Sequence, residues 1–273
     1  DVKAYGTLSL SEVLSKSSNV GMAKTVRSRL EPGTFYQYAR NMGFSTPTWV
    51  DLPGEQEGML KTPDEWSQTT LTSMSIGYEV SVTPLQLVTA YSALANGGRL
   101  LKPYVVAERR DVTGRTLQRS EPDSVRRVMK PKTARTLRPA FEQAVESGTA
   151  TEAQIEGLRV AGKTGTALQV TDGDYTKEQA RASFVGFFPA DDPQVTLLII
   201  VGGPETSIYG GAVAAPIFRR VARRWAGTFP SVVDRMTAET SAASSPPSFD
   251  SLLARSGFAP DSARAMPNLT GVS

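Results

Sequence analysis

Ala161-Gly-Lys163-Thr164-Gly165-Thr166-Ala167 is the stretch on which the fold of this chain turns. Small and apolar residues flank the polar core, and the pattern predicts a strand over 158–168. Side chains alternate along a strand, so Lys163 and Gly165 fall on one face, Thr164 and Thr166 on the other. A glycine in mid-strand weakens pairing but lets a ligand or a second backbone come close. That combination suits an edge strand on which an extended peptide adds to the sheet. An ammonium and two hydroxyls there suit a substrate bearing a carboxylate. The plainer structural alternative is a twisted edge strand with exposed polar residues.

Working outward, the next informative triplet is Ser17-Ser18-Asn19. Ser9-Leu-Ser-Glu12 is a capping-box pattern that opens a short helix. Ser and Asn then compete with helical backbone bonds and interrupt it. A second helix is expected over 20–30, and Pro32-Gly33 leads to a third that Gly43 closes. Taken alone, the triplet is a polar break between two helices.

Residues 44–70 are rich in Pro, Thr and Gly and are expected to form a loop. Thr83-Pro84 predicts a helix start, with Thr as N-cap and Pro in the first turn. Leu85, Val88, Ser92 and Ala95 follow at helical spacing, and Gly97-Gly98 stops it. Residues 103–110 alternate as a strand before the turn Val112-Thr-Gly-Arg115. Thr133 is expected to cap a helix carrying Leu137, Phe141 and Val145, ended by Gly148. Strands over 182–188 and 194–202 flank Pro189-Ala-Asp-Asp-Pro193, the signature of an antiparallel hairpin. A last helix covers 214–225. The order predicts an α/β (α+β) domain, an antiparallel sheet flanked by helices.

Composition removes several function classes. Cysteine and histidine are both absent. There is no thiol nucleophile, no disulfide and no zinc site of the Cys/His kind. A Ser-His-Asp triad cannot be completed within these residues, so a general base must be Lys, a carboxylate or Tyr. A net charge of +3 is too small to argue for nucleic acid. The cluster Arg219, Arg220, Arg223 and Arg224 is expected to be a solvated helix face. The longest mostly apolar run, 195–201, is far short of the roughly 20 residues that cross a bilayer. Because the chain opens on Asp1 and stops on Thr-Gly-Val-Ser, a longer parent with its own anchor is expected.

Lys-Thr-Gly and Ser-x-Asn belong to the motif set of penicillin-binding proteins and serine β-lactamases, whose third member, Ser-x-x-Lys, carries the nucleophile. No lysine here has a serine three residues before it. Five pieces, in order, extend the match. They are Leu14-Ser-Lys-Ser-Ser-Asn-Val-Gly-Met22, Val82-Thr-Pro-Leu-Gln-Leu87 with Ala95-Asn-Gly-Gly98, 161–167, Ser183-Phe-Val-Gly-Phe-Phe-Pro-Ala-Asp-Asp-Pro193, and Tyr209-Gly-Gly-Ala-Val-Ala-Ala-Pro-Ile-Phe218. Through residue 226 the chain resembles the C-terminal portion of the transpeptidase domain of class B penicillin-binding proteins. It departs from many members at Gly202-Gly203-Pro204, where an acidic residue often precedes the proline. Residues 227–265, rich in Ser, Ala and Pro, are expected to be a linker. Residues 266–273, Met266-Pro-Asn-Leu-Thr-Gly-Val-Ser273, resemble the start of a PASTA domain.

The resemblance implies peptidoglycan cross-linking through an acyl-serine formed on a D-Ala-D-Ala stem peptide, with the nucleophile outside this segment. It implies that Ser17 relays a proton, that Asn19 bonds the catalytic lysine and the substrate amide, and that Lys163 supplies positive field. Thr164, Gly165 and Thr166 would line the substrate carboxylate site, and Tyr209 the acyl pocket, unless Tyr209 is merely a packed strand-end residue. Expected partners are stem peptides, β-lactam antibiotics, a membrane-embedded glycan polymerase and other cell-wall synthesis proteins. The expected location is the outer, periplasmic face of the cell membrane, held by an anchor not in this segment. No cofactor or metal is expected. A D,D-carboxypeptidase, a β-lactamase-like enzyme and a non-catalytic cell-wall-binding module remain the alternatives.

Overall fold

The strand carrying Lys163 lies at a sheet edge. In the computed structural model, which describes residues 1, 4–171, 174–228 and 251, strands β7 (Ala161–Thr171), β8 (Asp174–Phe188) and β9 (Val195–Gly202) form one antiparallel sheet in that order. β8 pairs Val185 with Lys163 on one side and with Leu198 on the other. β7 therefore keeps one edge unpaired among the described residues. The linker and PASTA expectations, from residue 229 on, fall outside the described residues apart from Ser251.

Alternation along β8 builds a core on each face. Phe184 and Phe188 point one way, against Ala214, Ala215 and Phe218 of α7 (Gly210–Ala226). The Phe184 and Phe188 rings meet Phe218 edge-on at 4.7 and 5.8 Å. Phe187 points the other way, against Leu94 of α5 (Pro84–Ala95) and Ala134 of α6 (Pro131–Glu146). Each fully buried phenylalanine contributes about 1.5–3 kcal/mol. The sheet is thus sandwiched between α7 and the α5–α6 pair, the flanked antiparallel sheet that the sequence predicts.

Three helices open the chain: α1 (Leu10–Ser15), α2 (Asn19–Arg29) and α3 (Pro32–Asn41). Ser9 and Glu12 form the expected capping box reciprocally. α4 (Thr70–Ser75) lies at the end of the stretch expected to be loop. That stretch is itself ordered by a carboxylate, because Glu55 accepts the N–H groups of Thr48 at 2.7 Å and Trp49 at 2.9 Å. Small ribbons complete the fold. β1 (Met59–Leu60) pairs with β2 (Val80–Ser81), β3 (Arg99–Lys102) with β6 (Asp123–Arg127), and β4 (Glu108–Arg110) with β5 (Thr116–Arg119).

Two expectations need correction. Of the single strand expected over 103–110, only the last three residues form one, as β4, and β3 ends just before that span, at Lys102. Pro103 has no N–H to give a ladder, and Asp51 takes the N–H groups of Val105 and Val106 at 2.7 and 2.9 Å. The α6 cap is Lys130, not Thr133, since Pro131 is already shaped for the first helical turn.

Gln86 ties the middle of the chain together. It is 1% exposed. Its oxygen accepts the Thr83 N–H at 2.9 Å, completing the α5 capping box. Its amide donates to the carbonyls of Thr46 at 2.8 Å and Glu57 at 2.7 Å. Gln86→Leu keeps the volume but removes all three of these bonds. Each contributes about 0.5–1.5 kcal/mol net, so the full-length protein is expected to lose roughly 3 kcal/mol in denaturant unfolding. A loss below about 1 kcal/mol would show that these bonds do not hold the loop.

Candidate active site

Ser17 occupies the gap between α1 and α2 with φ 55°, a left-handed value uncommon outside glycine. Its neighbours hold it there. Ser18 is buried and N-caps α2, accepting the Gly21 N–H at 3.0 Å and donating to the Asp1 carboxylate at 2.6 Å. The other Asp1 oxygen accepts the N–H of Asn19 at 2.6 Å and of Val20 at 3.4 Å. Ser17 and Asn19 are left exposed. The turn thus buries its middle residue and presents the outer two.

Lys163 reaches this turn from β7. Its Nζ donates to Ser17 Oγ at 2.8 Å, across 146 residues of sequence, and to its neighbour's carbonyl, Thr164 O, at 3.2 Å. Burial lowers its pKa from 10.5 to about 8, because a desolvated ammonium is disfavoured. Lys163 is therefore mainly charged at neutral pH but close enough to titration to exchange a proton.

The opposite face of β7 carries the two threonines, as strand alternation predicts. Thr164 and Thr166 pair with Phe184 and Ala182, on the α7 side. Thr166 Oγ1 accepts the Gly210 N–H at 3.4 Å. Thr164 Oγ1 lies 2.8 Å from Thr149 Oγ1. α7 starts here without an acidic residue in its first turn and without a side-chain cap. The positive end of its dipole is therefore not offset locally. Tyr209 is the N-cap residue and is 57% exposed, so it is not a packed strand-end residue.

Glycine explains how α7 comes so close. A Cβ on Gly210 would overlap the Ser183 carbonyl and lie 2.6 Å from that of Gly165. One on Gly211 would overlap the carbonyl of Thr149. Gly165 itself sits against Ser183, where its missing side chain leaves room.

The structure thus gathers Ser17 with Lys163, and Thr164 and Thr166 with the start of α7, along the β7 edge left unpaired among the described residues. Among the described residues no hydrogen bond joins Asn19 to Lys163. No group of acidic residues among the described residues could hold a metal ion. Sequence reading left Asp1, Thr149, Gly210 and Gly211 without roles. The glycine pair after Tyr209 was a visible signal. Thr149 offered none, because its importance depends on which residues fold beside it.

Known proteins match this geometry. Residues 1–223 fit the family model described as the penicillin binding protein transpeptidase domain. Stage V sporulation protein D of Bacillus subtilis (strain 168) is 38% identical over 221 residues, covering 80% of this chain and 34% of that protein. The probable peptidoglycan D,D-transpeptidase PbpC of Pseudomonas aeruginosa is 34% identical over 221 residues, 80% of this chain and 37% of its own. The crystal structure of penicillin binding protein 3 from Mycobacterium tuberculosis, complexed with aztreonam, superposes with a TM-score of 0.76 at 31% identity. It covers 84% of this chain and 53% of that one. The chain spans about a third of the length of the curated relatives it matches.

Proposed function

Since the chain belongs to the penicillin-binding protein transpeptidase domain family, we propose that it forms the substrate-binding edge and proton-relay side of a peptidoglycan D,D-transpeptidase. The observation that carries this reading is the 2.8 Å bond from Lys163 to Ser17 beside a strand edge that is unpaired among the described residues. The reacting serine comes from a Ser-x-x-Lys segment outside these residues.

In this reading the stem peptide lies along β7. The hydroxyls of Thr164 and Thr166 bind its terminal carboxylate, and Gly165 lets the peptide backbone approach. The serine attacks the penultimate D-Ala carbonyl while the lysine of its own Ser-x-x-Lys motif takes the serine proton. The Thr166 N–H shares the developing oxyanion with the serine's own N–H, and such a donor is worth roughly 10²–10³ in rate. Ser17 relays that proton from the motif lysine to the departing D-Ala amine, and Lys163 supplies positive field through its hydrogen bond to Ser17. Asn19 binds the substrate amide and the lysine of the absent motif. An amine from a second stem then attacks the acyl-serine, forming the cross-link and freeing the serine. Tyr209, exposed beside the threonines, lines the acyl pocket. β-Lactams enter as mimics of the donor peptide.

No helix among the described residues is long and apolar enough to cross a membrane. Anchoring at the outer face of the membrane, beside a glycan polymerase, falls to other segments of the parent protein. The linker and PASTA-like ending belong to the same proposal.

The full-length protein is expected to take up a fluorescent penicillin covalently, and to release one D-Ala per cross-link from stem pentapeptides. Failure to label under conditions where a known transpeptidase labels would overturn the reading. Release of D-Ala without cross-links would replace it with a carboxypeptidase.

A further inference from the structure

We infer that Thr149 is a positioning residue that sets the Thr164 hydroxyl to donate to the substrate carboxylate. The inference rests on the transpeptidase reading and deepens it.

Thr149 follows α6 and is held from both sides. Its N–H donates to Ser15 O at 3.1 Å, at the end of α1 and two residues before Ser17. Its carbonyl presses on Gly211 at the start of α7, where a Cβ would overlap it. Gly148 before it lies against the same Ser15 carbonyl. The following residue, Ala150, is fully buried, and its N–H returns to Ala144 O at 2.9 Å. The backbone therefore has little freedom, and the exposed side chain delivers its Oγ1 to Thr164 at 2.8 Å.

The chemistry of two hydroxyls fixes the direction. Either oxygen can be the donor while the site is empty. A carboxylate is acceptor-only, so Thr164 must turn its single proton toward it. Thr164 can then only accept from Thr149, and Thr149 donates. The chain Thr149 to Thr164 to carboxylate is the arrangement in which every hydroxyl proton is used, and linked bonds of this kind polarise one another. Because the Thr149 backbone also touches α1 and α7, one hydroxyl relates the carboxylate site to the Ser17 turn.

The test uses the full-length protein with Thr149→Val and Thr149→Ser. Acylation is followed with benzylpenicillin and with its methyl ester, and each rate is separated into binding and chemical steps. Thr149→Val keeps the shape and the backbone bonds, so its unfolding midpoint should match wild type. It should weaken the binding step with benzylpenicillin roughly three- to tenfold. Thr149→Ser should restore it. With the ester, Thr149→Val and wild type should react alike. An equal loss with acid and ester, or no loss with the acid, overturns the inference while leaving the transpeptidase reading standing. A wild-type protein that reacts with neither compound overturns both.

Discussion

Lys163→Met in the full-length protein is expected to cut acylation by a fluorescent penicillin by roughly 10²–10³-fold, the scale of losing one well-placed electrostatic group in an active site. The loss should come without unfolding. Burial holds the lysine pKa near 8, against 10.5 when it is free. The unfolded chain therefore binds this proton more tightly than the folded one. Below about pH 8 both states are charged and the burial penalty is felt in full. Between about 8 and 10.5 the unfolded state carries the extra proton, so stability rises with pH and the penalty fades. Methionine removes the charge altogether, so the variant should unfold no earlier than wild type at pH 7. A protein that loses activity and gains or keeps stability is the mark of a functional, strained group. Wild-type acylation should also decline as pH rises through about 8, where Lys163 loses its charge. Lys163→Arg, which stays charged, should shift that alkaline decline upward. Near-normal labelling of Lys163→Met would remove Lys163 from the site.

Gly210→Ala is expected to be strongly damaging to both the seat of α7 and the site. The added carbon would overlap the carbonyl of Ser183 and crowd that of Gly165 at 2.6 Å, both of them sheet backbone. Neither can rotate away as a side chain would, so the start of α7 must lift off β7. Overpacking of this kind costs typically 1–3 kcal/mol and occasionally more. It should also break the bond from Gly210 N–H to Thr166 Oγ1, and acylation should fall at least tenfold. Gly202→Ala is the control, since a Cβ there meets nothing within 4 Å. Equal stability of the two variants in thermal unfolding would show that α7 is not seated as described.

Much of the scaffold was legible because it is written in short-range patterns. Ser9 with Glu12 and Thr83 with Pro84 announced helix starts that the structure keeps. The apolar run of β9 and the Pro189–Pro193 turn announced the hairpin with β8. The misread strand over 103–110 arose where a distant group intervened. Asp51 took the N–H groups that a strand through Val105 and Val106 would have needed. Within the candidate site, Ser17, Asn19, Lys163, Thr164, Gly165, Thr166 and Tyr209 were singled out by motif and resemblance. Thr149 and Asp1 carried no local signature.

The sequence by itself determined that Lys163-Thr164-Gly165-Thr166 would lie on a strand, with the lysine and the threonines on opposite faces. Period-two alternation requires that of any strand. It also determined, through the absence of histidine and cysteine, that neither an imidazole nor a thiol of these residues can take part in chemistry. Tertiary structure alone decided that Lys163 meets Ser17 across 146 residues, that its pKa falls to about 8, and that Gly210 and Gly211 admit α7 to the back of the strand. The physical reason is one of range. Capping and alternation act between residues a few positions apart, whereas desolvation and close backbone approach depend on what the whole chain brings into contact.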